Sequence, residues 1–201
     1  MTIALIDYGA GNVPSVERAL QRLGAASRPV TRPEELASVG AIVLPGVGHY
    51  AAIIRALDVQ RLRSPLLEAI ARGVPFLGIC LGLQALYACS EEAPTLDGLG
   101  LLAGAVSSLP ATTKLPHMGW NRLRIVKSTP LLEGLGESDY FYFAHTFAAP
   151  YSAENTVALC DYGAHFSAVL ERDNIFATQF HPEKSGAAGA RLLQNFLRLV
   201  A

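Results

Sequence analysis

The feature that most constrains this chain is a cysteine that stands between two glycines directly after a short apolar run. Residues 76–79 favour a buried strand, and the spacing Gly78-x-Cys80-x-Gly82 is the thiol counterpart of the G-x-S-x-G nucleophile elbow. In such an elbow the glycines let a strand turn sharply into a helix and expose the central side chain. The helix is expected to continue to about Cys89.

This placement makes Cys80 a candidate nucleophile. A cysteine at a helix N-terminus lies beside unpaired backbone N–H groups and the positive end of the helix dipole, which stabilise the reactive thiolate. The motif alone leaves an alternative open, because free cysteines are often small, inert, buried residues.

Composition narrows the classes of partner. The 201 residues fit a single domain, 1–201, with one large core. A formal net charge of −1 and the absence of any Lys/Arg cluster predict no nucleic-acid partner and no anionic membrane surface. The 3 cysteines are odd in number and form no C-x-x-C, so neither a disulfide framework nor a zinc site is indicated, and a reducing, cytoplasmic location is expected.

One stretch invites a membrane interpretation. Residues 73–90 carry no charge and are just long enough to span a bilayer as a helix. Pro75, three glycines and Gln84 inside the stretch instead favour a buried strand, a turn and a helix. The N-terminus reaches Asp7 without a basic region or a long apolar run, so no targeting signal is expected.

Strand and helix patterns alternate over the first half of the chain and predict an α/β fold with a mainly parallel central sheet flanked by helices. In the C-terminal half, short apolar runs separated by polar or glycine turns predict additional antiparallel strands. The predicted strands are 3–7, 41–44, 76–79, 115–126, 140–145, 156–161, 166–171 and 175–180, and the predicted helices lie near 15–23, 49–57, 65–72 and 189–200.

A thiol nucleophile needs a base and a group that orients the base. The segment His181-Pro182-Glu183 follows the last predicted strand and offers both. Residues two apart in an extended segment point the same way, so His181 and Glu183 can lie side by side. The sequence therefore predicts a triad in which Cys80 attacks, His181 moves the proton and Glu183 fixes the imidazole tautomer. Taken alone, His-x-Glu could equally be an exposed histidine beside a surface acid.

A covalent intermediate also needs donors for its oxyanion. The backbone N–H of Leu81 follows the nucleophile directly, as elbow geometry requires. A second donor is predicted in the loop Pro45-Gly46-Val47-Gly48, at the carboxyl end of a neighbouring parallel strand. An ordinary glycine-rich turn is the alternative for this loop.

The remaining histidines give weaker signals. His49, His117, His145 and His165 default to structural or exposed positions, and no two histidines follow the i, i+4 spacing of a zinc helix. We therefore expect neither a metal site nor a cofactor.

Several segments together resemble a known family. G-I-C-L-G-L-Q at 78–84 with F-H-P-E-K-S at 180–185 is similar to the class I (triad) glutamine amidotransferases. Four further segments narrow the resemblance to the glutaminase subunit of imidazole glycerol phosphate synthase. They are D-Y-G-A-G-N at 7–12, P-G-V-G at 45–48, P-H-M-G-W-N at 116–121 and Y-F-A-H-T-F at 142–147. The resemblance extends over essentially the whole chain.

The resemblance also assigns roles to single residues. It implies that Cys80, His181 and Glu183 form the triad and that the Val47 and Leu81 amides form the oxyanion hole. The residues that it places around L-glutamine are Gly46, Gly48, Gln84, His145 and Thr146. The residues that it places against a partner are Asn12, Trp120, Tyr142 and Lys184.

The implied reaction is hydrolysis of L-glutamine to glutamate and ammonia through a cysteine thioester. Ammonia would pass to a (β/α)8-barrel cyclase subunit, in a heterodimer that makes imidazole glycerol phosphate and an aminoimidazole carboxamide nucleotide for histidine biosynthesis. A partner-gated Val47 loop would leave the isolated chain nearly inactive. The alternatives are a glutaminase that serves the pyridoxal phosphate or anthranilate pathway, and a non-catalytic binding module that kept the fold.

Overall fold

The structure is a computed structural model that describes residues 2–10 and 12–200. Short 3-10 turns at Pro33–Leu36, Pro130–Leu132 and Pro182–Lys184 lie between the main elements. In chain order those elements are β1 (Ile3–Ile6), α1 (Val13–Arg22), β2 (Ser27–Val30), β3 (Ala41–Gly46), α2 (Tyr50–Val59), α3 (Arg63–Ala71), β4 (Phe76–Cys80), α4 (Leu81–Gln84), β5 (Tyr87–Ser90), β6 (Leu102–Ser108), β7 (His117–Arg122), β8 (Arg124–Ile125), β9 (Tyr140–His145), β10 (Phe147–Ala148), β11 (Thr156–Asp161), β12 (His165–Arg172), β13 (Ile175–Thr178) and α5 (Gly186–Leu199).

An eight-stranded sheet in the order β2-β1-β3-β4-β13-β12-β11-β8 forms the centre of the molecule. The first five strands in this order pair in parallel. The last three add in antiparallel fashion. The predicted fold class, a mainly parallel sheet with antiparallel strands from the C-terminal half, is confirmed.

The inner parallel strands β1, β3 and β4 are buried on both faces because helices cover both faces of the sheet. Successive strand residues alternate between two buried clusters. One cluster combines Leu5, Val43 and Leu77 with side chains of α1 and α5, and the other combines Ala4, Ile42 and Phe76 with side chains of α2 and α3. A strand that must bury every residue reads as a continuous apolar run, which is why β1, β3 and β4 could be located from the sequence.

The helix predicted to run from the elbow to Cys89 is wrong. Only α4 (Leu81–Gln84) forms there, and the chain then continues as β5 (Tyr87–Ser90). The reason is a non-local pairing: β5 lies parallel to β6, with Tyr87 opposite Leu102 and Ser90 opposite Val106. The uncharged stretch 73–90 is therefore a strand, one helical turn and a second strand, and none of the helices in 2–10 and 12–200 could cross a bilayer.

The strand predicted over 115–126 is also divided. Its first part is β7, which pairs with β9 in a separate two-stranded sheet, and its second part is β8 at the edge of the main sheet. The predicted bounds of β9 and β11 coincide with the observed bounds, whereas β2, β6 and β10 were not predicted. The chain leaves one sheet and enters another within Leu123, and local apolar patterning does not indicate such a change.

Candidate active site

The predicted site residues come from the carboxyl ends of three adjacent parallel strands. Register places Gly46 at the end of β3 opposite Cys80 at the end of β4, and β13 pairs with β4 on its other side. His181 follows β13 by three residues. The loops that leave neighbouring parallel strands open onto a common crevice, which is where α/β proteins bind ligands.

Cys80 lies on a strained turn. Its backbone angles are φ 54° and ψ −104°, a conformation that residues other than glycine rarely adopt. A Cβ at Gly78 would lie 2.7 Å from the carbonyl oxygen of Gly82, and one at Gly82 would overlap the carbonyl oxygen of Leu44. Both flanking glycines are therefore needed for the strand-to-helix turn that presents Cys80.

His181 and Glu183 lie side by side as predicted, but the chain between them is a 3-10 turn, Pro182–Lys184, and not the expected extended segment. The His181 Nδ1 is 2.9 Å from Oε1 of Glu183, and both side chains are almost completely buried. Asn12 donates a second hydrogen bond to the same Oε1 at 3.2 Å. Because a carboxylate only accepts hydrogen bonds, the proton of the pair is on Nδ1 and the other ring nitrogen is left for Cys80.

Cys80 and His181 interact electrostatically. Burial alone would lower the pKa of His181, but the charge of Cys80 and a hydrogen bond to it, together with the hydrogen bond and charge of Glu183, raise that pKa to about 10. A buried imidazolium beside a thiolate is the activated form of a cysteine nucleophile. The geometry thus brings together the three residues of the predicted triad.

A cavity of about 380 Å³ opens above Cys80 and His181. This volume is within the range of roughly 300–1,000 Å³ that small-molecule sites occupy. Its wall consists of Val47, Gly48, Cys80, Leu81, Gln84, Glu92, Pro116, Met118, Tyr142, Ala144, His145, Thr146, Phe147, His181 and Lys184. A larger groove over residues 125–135 lies away from the cysteine, on the loop between β8 and β9.

The Val47 amide, one of the two predicted oxyanion donors, is already engaged. Its N–H donates to the hydroxyl of Tyr8 at 3.1 Å, and that hydroxyl is 3.4 Å from the Val47 carbonyl oxygen. Burial, opposed by the Val47 hydrogen bond and assisted by the charge of Cys80, raises the pKa of Tyr8 to about 12, so the hydroxyl stays protonated. The second predicted donor, the Leu81 N–H, begins α4 directly after Cys80.

Two of the residues expected to contact glutamine, Gln84 and His145, form hydrogen bonds with other residues of the cavity wall. Both Gln84 and His145 donate to the carbonyl oxygen of Phe147, at 2.7 and 2.9 Å. The other ring nitrogen of His145 lies 3.0 Å from Nδ1 of His117. Since the Phe147 carbonyl can only accept, His145 is protonated on Nδ1 and accepts from His117 on Nε2. His145 therefore holds the cavity wall in place, and Gln84 is bonded to the same wall through its Nε2.

Burial keeps this histidine pair neutral. Burial lowers the pKa of His117 to about 4, and burial with the neighbouring histidines, despite the Phe147 hydrogen bond, lowers the pKa of His145 to about 3. His117 is also stacked between Phe143 and Tyr162, with ring centroids 4.7 and 3.9 Å apart. The expectation of a structural role for His117 agrees with these contacts.

Three of the four predicted partner residues, Trp120, Tyr142 and Lys184, lie at one exposed surface. We call it the β7–β9 face and define it by Met118, Trp120, Tyr140 and Tyr142. Met118 is 64% exposed and Trp120 is 55% exposed, which is unusual for such large apolar side chains. Trp120 packs edge-on against Tyr142, and the Lys184 ammonium lies 5.9 Å from the Tyr142 ring centroid.

The β7–β9 face is connected to the site through the backbone of Tyr142. The Tyr142 carbonyl accepts from the N–H of His181 at 2.9 Å. Its own N–H donates to Oγ of Ser185 at 2.9 Å, and Ser185 donates to the His181 carbonyl. Asn12 is half-buried, and its side-chain amide is bonded to Glu183.

Comparison with known proteins identifies the family. A family model for class-I glutamine amidotransferases matches residues 4–200. Imidazole glycerol phosphate synthase subunit HisH of Methanothermobacter thermautotrophicus is 48% identical over 198 residues, which cover 98% of both chains. The chain belongs to the HisH family of class-I glutamine amidotransferases. HisH of Deinococcus radiodurans is 46% identical over 202 residues, 99% of this HisH-family chain and 94% of that protein.

Solved structures show the same fold at lower identity. A crystal structure of a glutamine amidotransferase superposes on the HisH-family chain with a TM-score of 0.78, at 22% identity and 98% coverage of both chains. The structure of PurLQS from Thermotoga maritima gives a TM-score of 0.77 at 22% identity, covering 100% of this chain and 99% of that chain. The family and fold predicted from the sequence motifs are confirmed.

Three polar residues of the site were missed at the sequence level. Glu92 lines the cavity and accepts from the N–H of Tyr50 at 2.7 Å. Glu91 and Glu92 are the first charged residues after the uncharged stretch 73–90, which was the available signal. Gln179 lies two residues before His181, so strand alternation could have placed it on the same side. No local pattern indicated Tyr8.

Proposed function

We propose that this chain is the glutaminase subunit of an imidazole glycerol phosphate synthase and that it releases ammonia from L-glutamine for a (β/α)8-barrel cyclase subunit. The observation that carries the proposal is the buried set of Cys80, His181 and Glu183, of which Cys80 and His181 line a cavity, in a chain of the HisH family. The single central sheet, with helices on both faces, supports treating 1–201 as one domain.

The chemistry follows from the protonation states of the two central residues. The Cys80 thiolate attacks the carboxamide carbon, and the carbonyl π electrons move onto oxygen. His181, held as imidazolium, gives its proton to the departing nitrogen, so the C–N bond breaks with release of ammonia and a thioester remains. His181 then takes a proton from water, hydroxide adds to the thioester, and glutamate leaves as the C–S bond breaks and the thiolate returns.

The oxyanion needs two donors, and one of the two predicted donors is engaged in this structure. The Leu81 N–H begins α4 directly after the nucleophile, whereas the Val47 N–H is bonded to Tyr8. Loss of one such donor typically reduces the rate 10²–10³-fold. We therefore infer a resting state in which partner binding must reorient the 45–48 loop, and in which Gly46 and Gly48 allow that movement.

Glutamine also carries charges that the cavity can recognise. Glu92 is the carboxylate on the cavity wall and suits the α-ammonium group of the substrate. The Gln84 Oε1 and the backbone around Thr146 would complete the pocket, while His145 supports the Phe147 carbonyl rather than binding substrate directly.

The β7–β9 face is the proposed partner surface. Met118, Tyr142 and Lys184 belong both to the cavity wall and to this face or its edge, so the cavity reaches the surface where the partner would dock. Ammonia released into neutral water would be protonated and lose its nucleophilicity. A partner seated over this opening would receive ammonia before that happens.

The test is glutamine hydrolysis by the purified chain, alone and with a purified barrel cyclase and its nucleotide ligand. We expect little turnover alone and strong stimulation in the mixture. Cys80→Ala should abolish hydrolysis in the mixture while leaving complex formation intact, and Cys160→Ala, at a buried cysteine remote from the cavity, serves as the matched control. Full turnover without the cyclase would contradict gating, and turnover by Cys80→Ala would remove the nucleophile assignment.

A further inference from the structure

A buried amide outside the triad lies within hydrogen-bond distance of the nucleophile. Gln179 follows β13, has 0% of its surface exposed, and places its Nε2 3.6 Å from Sγ of Cys80. A buried side-chain amide requires partners for its donors and its acceptor. The reaction scheme above gives this residue no role, so its direction toward the sulfur needs an explanation.

The Phe147 carbonyl fixes the orientation of the Gln179 amide through Gln84. Gln84 must present its nitrogen to the Phe147 carbonyl, since that carbonyl can only accept. The same Gln84 nitrogen lies 3.2 Å from Gln179, which therefore presents its oxygen to Gln84. The remaining end of Gln179 is the NH₂ group, and it points at Cys80.

We propose that Gln179 is a further catalytic residue of the glutaminase reaction, which donates a hydrogen bond to the Cys80 thiolate and stabilises it. This inference rests on the proposed function for its place in the cycle. The sulfur is a thiolate before attack and again when glutamate leaves, and a thiolate accepts hydrogen bonds more strongly than the thioether-like sulfur of the thioester. Gln179 therefore acts on the two states in which the sulfur carries charge.

Gln84 is the positioning residue in this arrangement. Its Nε2 bonds the Phe147 carbonyl and the Gln179 Oε1, and this contact orients the Gln179 NH₂ group toward Cys80. The Gln84 Nε2 itself is used in these two bonds. The Phe147 carbonyl is held from its other side by His145. A small displacement of residues 145–147 would thus move Gln84 and, through it, change the direction of the Gln179 NH₂ group at Cys80.

The decisive experiment measures alkylation of Cys80 by iodoacetamide against pH in the full-length chain, with the modified cysteine identified by peptide mass spectrometry. Gln179→Met keeps the length of the side chain and removes the donor. We expect its alkylation profile to move toward higher pH by about one pH unit, since hydrogen bonds to charged groups are the strong ones. An unshifted profile overturns the proposal.

The matched control is Asn195→Leu. Asn195 is also a buried amide, 2% exposed, but its donors bind the carbonyl oxygens of Leu131 and Glu133 on the far side of α5. This substitution should lower thermal stability and leave the alkylation profile of Cys80 unchanged. An equal shift in both variants would attribute the effect to lost stability and overturn the proposal.

A second measurement needs no variant and so survives a folding defect. In the NMR spectrum of the native chain, alkylation of Cys80 should move the side-chain amide proton of Gln179 upfield, because a thioether is a weaker acceptor than a thiolate. The amide of Gln60, which donates to the Asp7 carbonyl, should not move. Unchanged Gln179 resonances would refute the hydrogen bond.

The two proposals fail in distinguishable ways. The alkylation and NMR readouts contain no glutamine and no partner. A shifted profile together with absent glutamine hydrolysis in the cyclase mixture would reject the proposed function and retain the Gln179 contact. Hydrolysis with an unshifted profile would do the reverse.

Discussion

Tyr8→Phe is expected to raise the glutaminase rate of the isolated chain. The substitution removes only the hydroxyl that accepts from the Val47 N–H at 3.1 Å and leaves the buried ring in place. If this bond holds the 45–48 loop in its resting orientation, its loss favours orientations in which the Val47 amide is free to face an oxyanion at Cys80.

The size of the effect follows from one hydrogen bond. A typical intramolecular hydrogen bond contributes a net ~1 kcal/mol, which corresponds to about a fivefold change in the ratio of two states at room temperature. Basal glutamine hydrolysis should therefore rise about fivefold. The rate with saturating cyclase and nucleotide should stay unchanged, because there the loop has already left Tyr8. The ratio of stimulated to basal rate should fall by the same factor.

The assay is glutamate release by the isolated chain at saturating glutamine, followed by the same assay with the cyclase present. Tyr87→Phe is the matched control, because it removes the hydroxyl of another buried tyrosine outside the cavity wall, and it should change neither rate. A basal rate of Tyr8→Phe equal to or below that of the native chain would refute the idea that Tyr8 restrains the loop.

Three further predictions address the charges of the site. Glu92→Gln should raise KM for glutamine by about tenfold or more, because a charge-assisted contact to the α-ammonium is lost, with a smaller effect on kcat in steady-state assays. Cys80→Ala should lower the pKa of His181 from about 10, since the charge and hydrogen bond of the sulfur are the largest causes that raise it; ¹⁵N NMR titration measures this, and an unchanged value would contradict the ion pair. The free energy of unfolding should fall as pH drops below 6.5, because the unfolded chain protonates His145 while the native pKa is about 3. This one histidine contributes a slope of about 1.4 kcal/mol per pH unit, so His145→Gln should be less pH-sensitive than the native chain in urea unfolding between pH 6.5 and 4.5.

The parts of the fold that could be predicted are those in which local pattern and final environment coincide. Buried parallel strands such as β3 and β4 are continuous apolar runs, and the glycines at 78 and 82 record the close approach of neighbouring backbone. The helix expected up to Cys89 failed because β6, more than ten residues later, supplies a strand partner for Tyr87–Ser90. Pairing partners at that distance leave no periodic trace in the segment itself.

In the site too, local sequence patterns indicated some residues and gave no sign of others. Cys80 and the His181–Glu183 pair are indicated by their motifs, although the structure brings His181 and Glu183 together through a 3-10 turn and not through the extended segment that was expected. The contact between Tyr8 and Val47 joins residues 39 positions apart, and the direction of the Gln179 amide depends on Gln84 and Phe147. Such contacts depend on which loops meet at the end of the sheet, and only the assembled coordinates supply that information.

Tyr142 connects the β7–β9 face with the segment that carries His181. Its ring packs against Trp120 on the proposed partner surface, and its peptide groups bond the His181 N–H and the Ser185 hydroxyl. We therefore expect a partner that shifts this strand to shift His181 with it, so that docking and the rate of the proposed reaction change together. Substitutions of Tyr142 should accordingly be judged by turnover as well as by affinity.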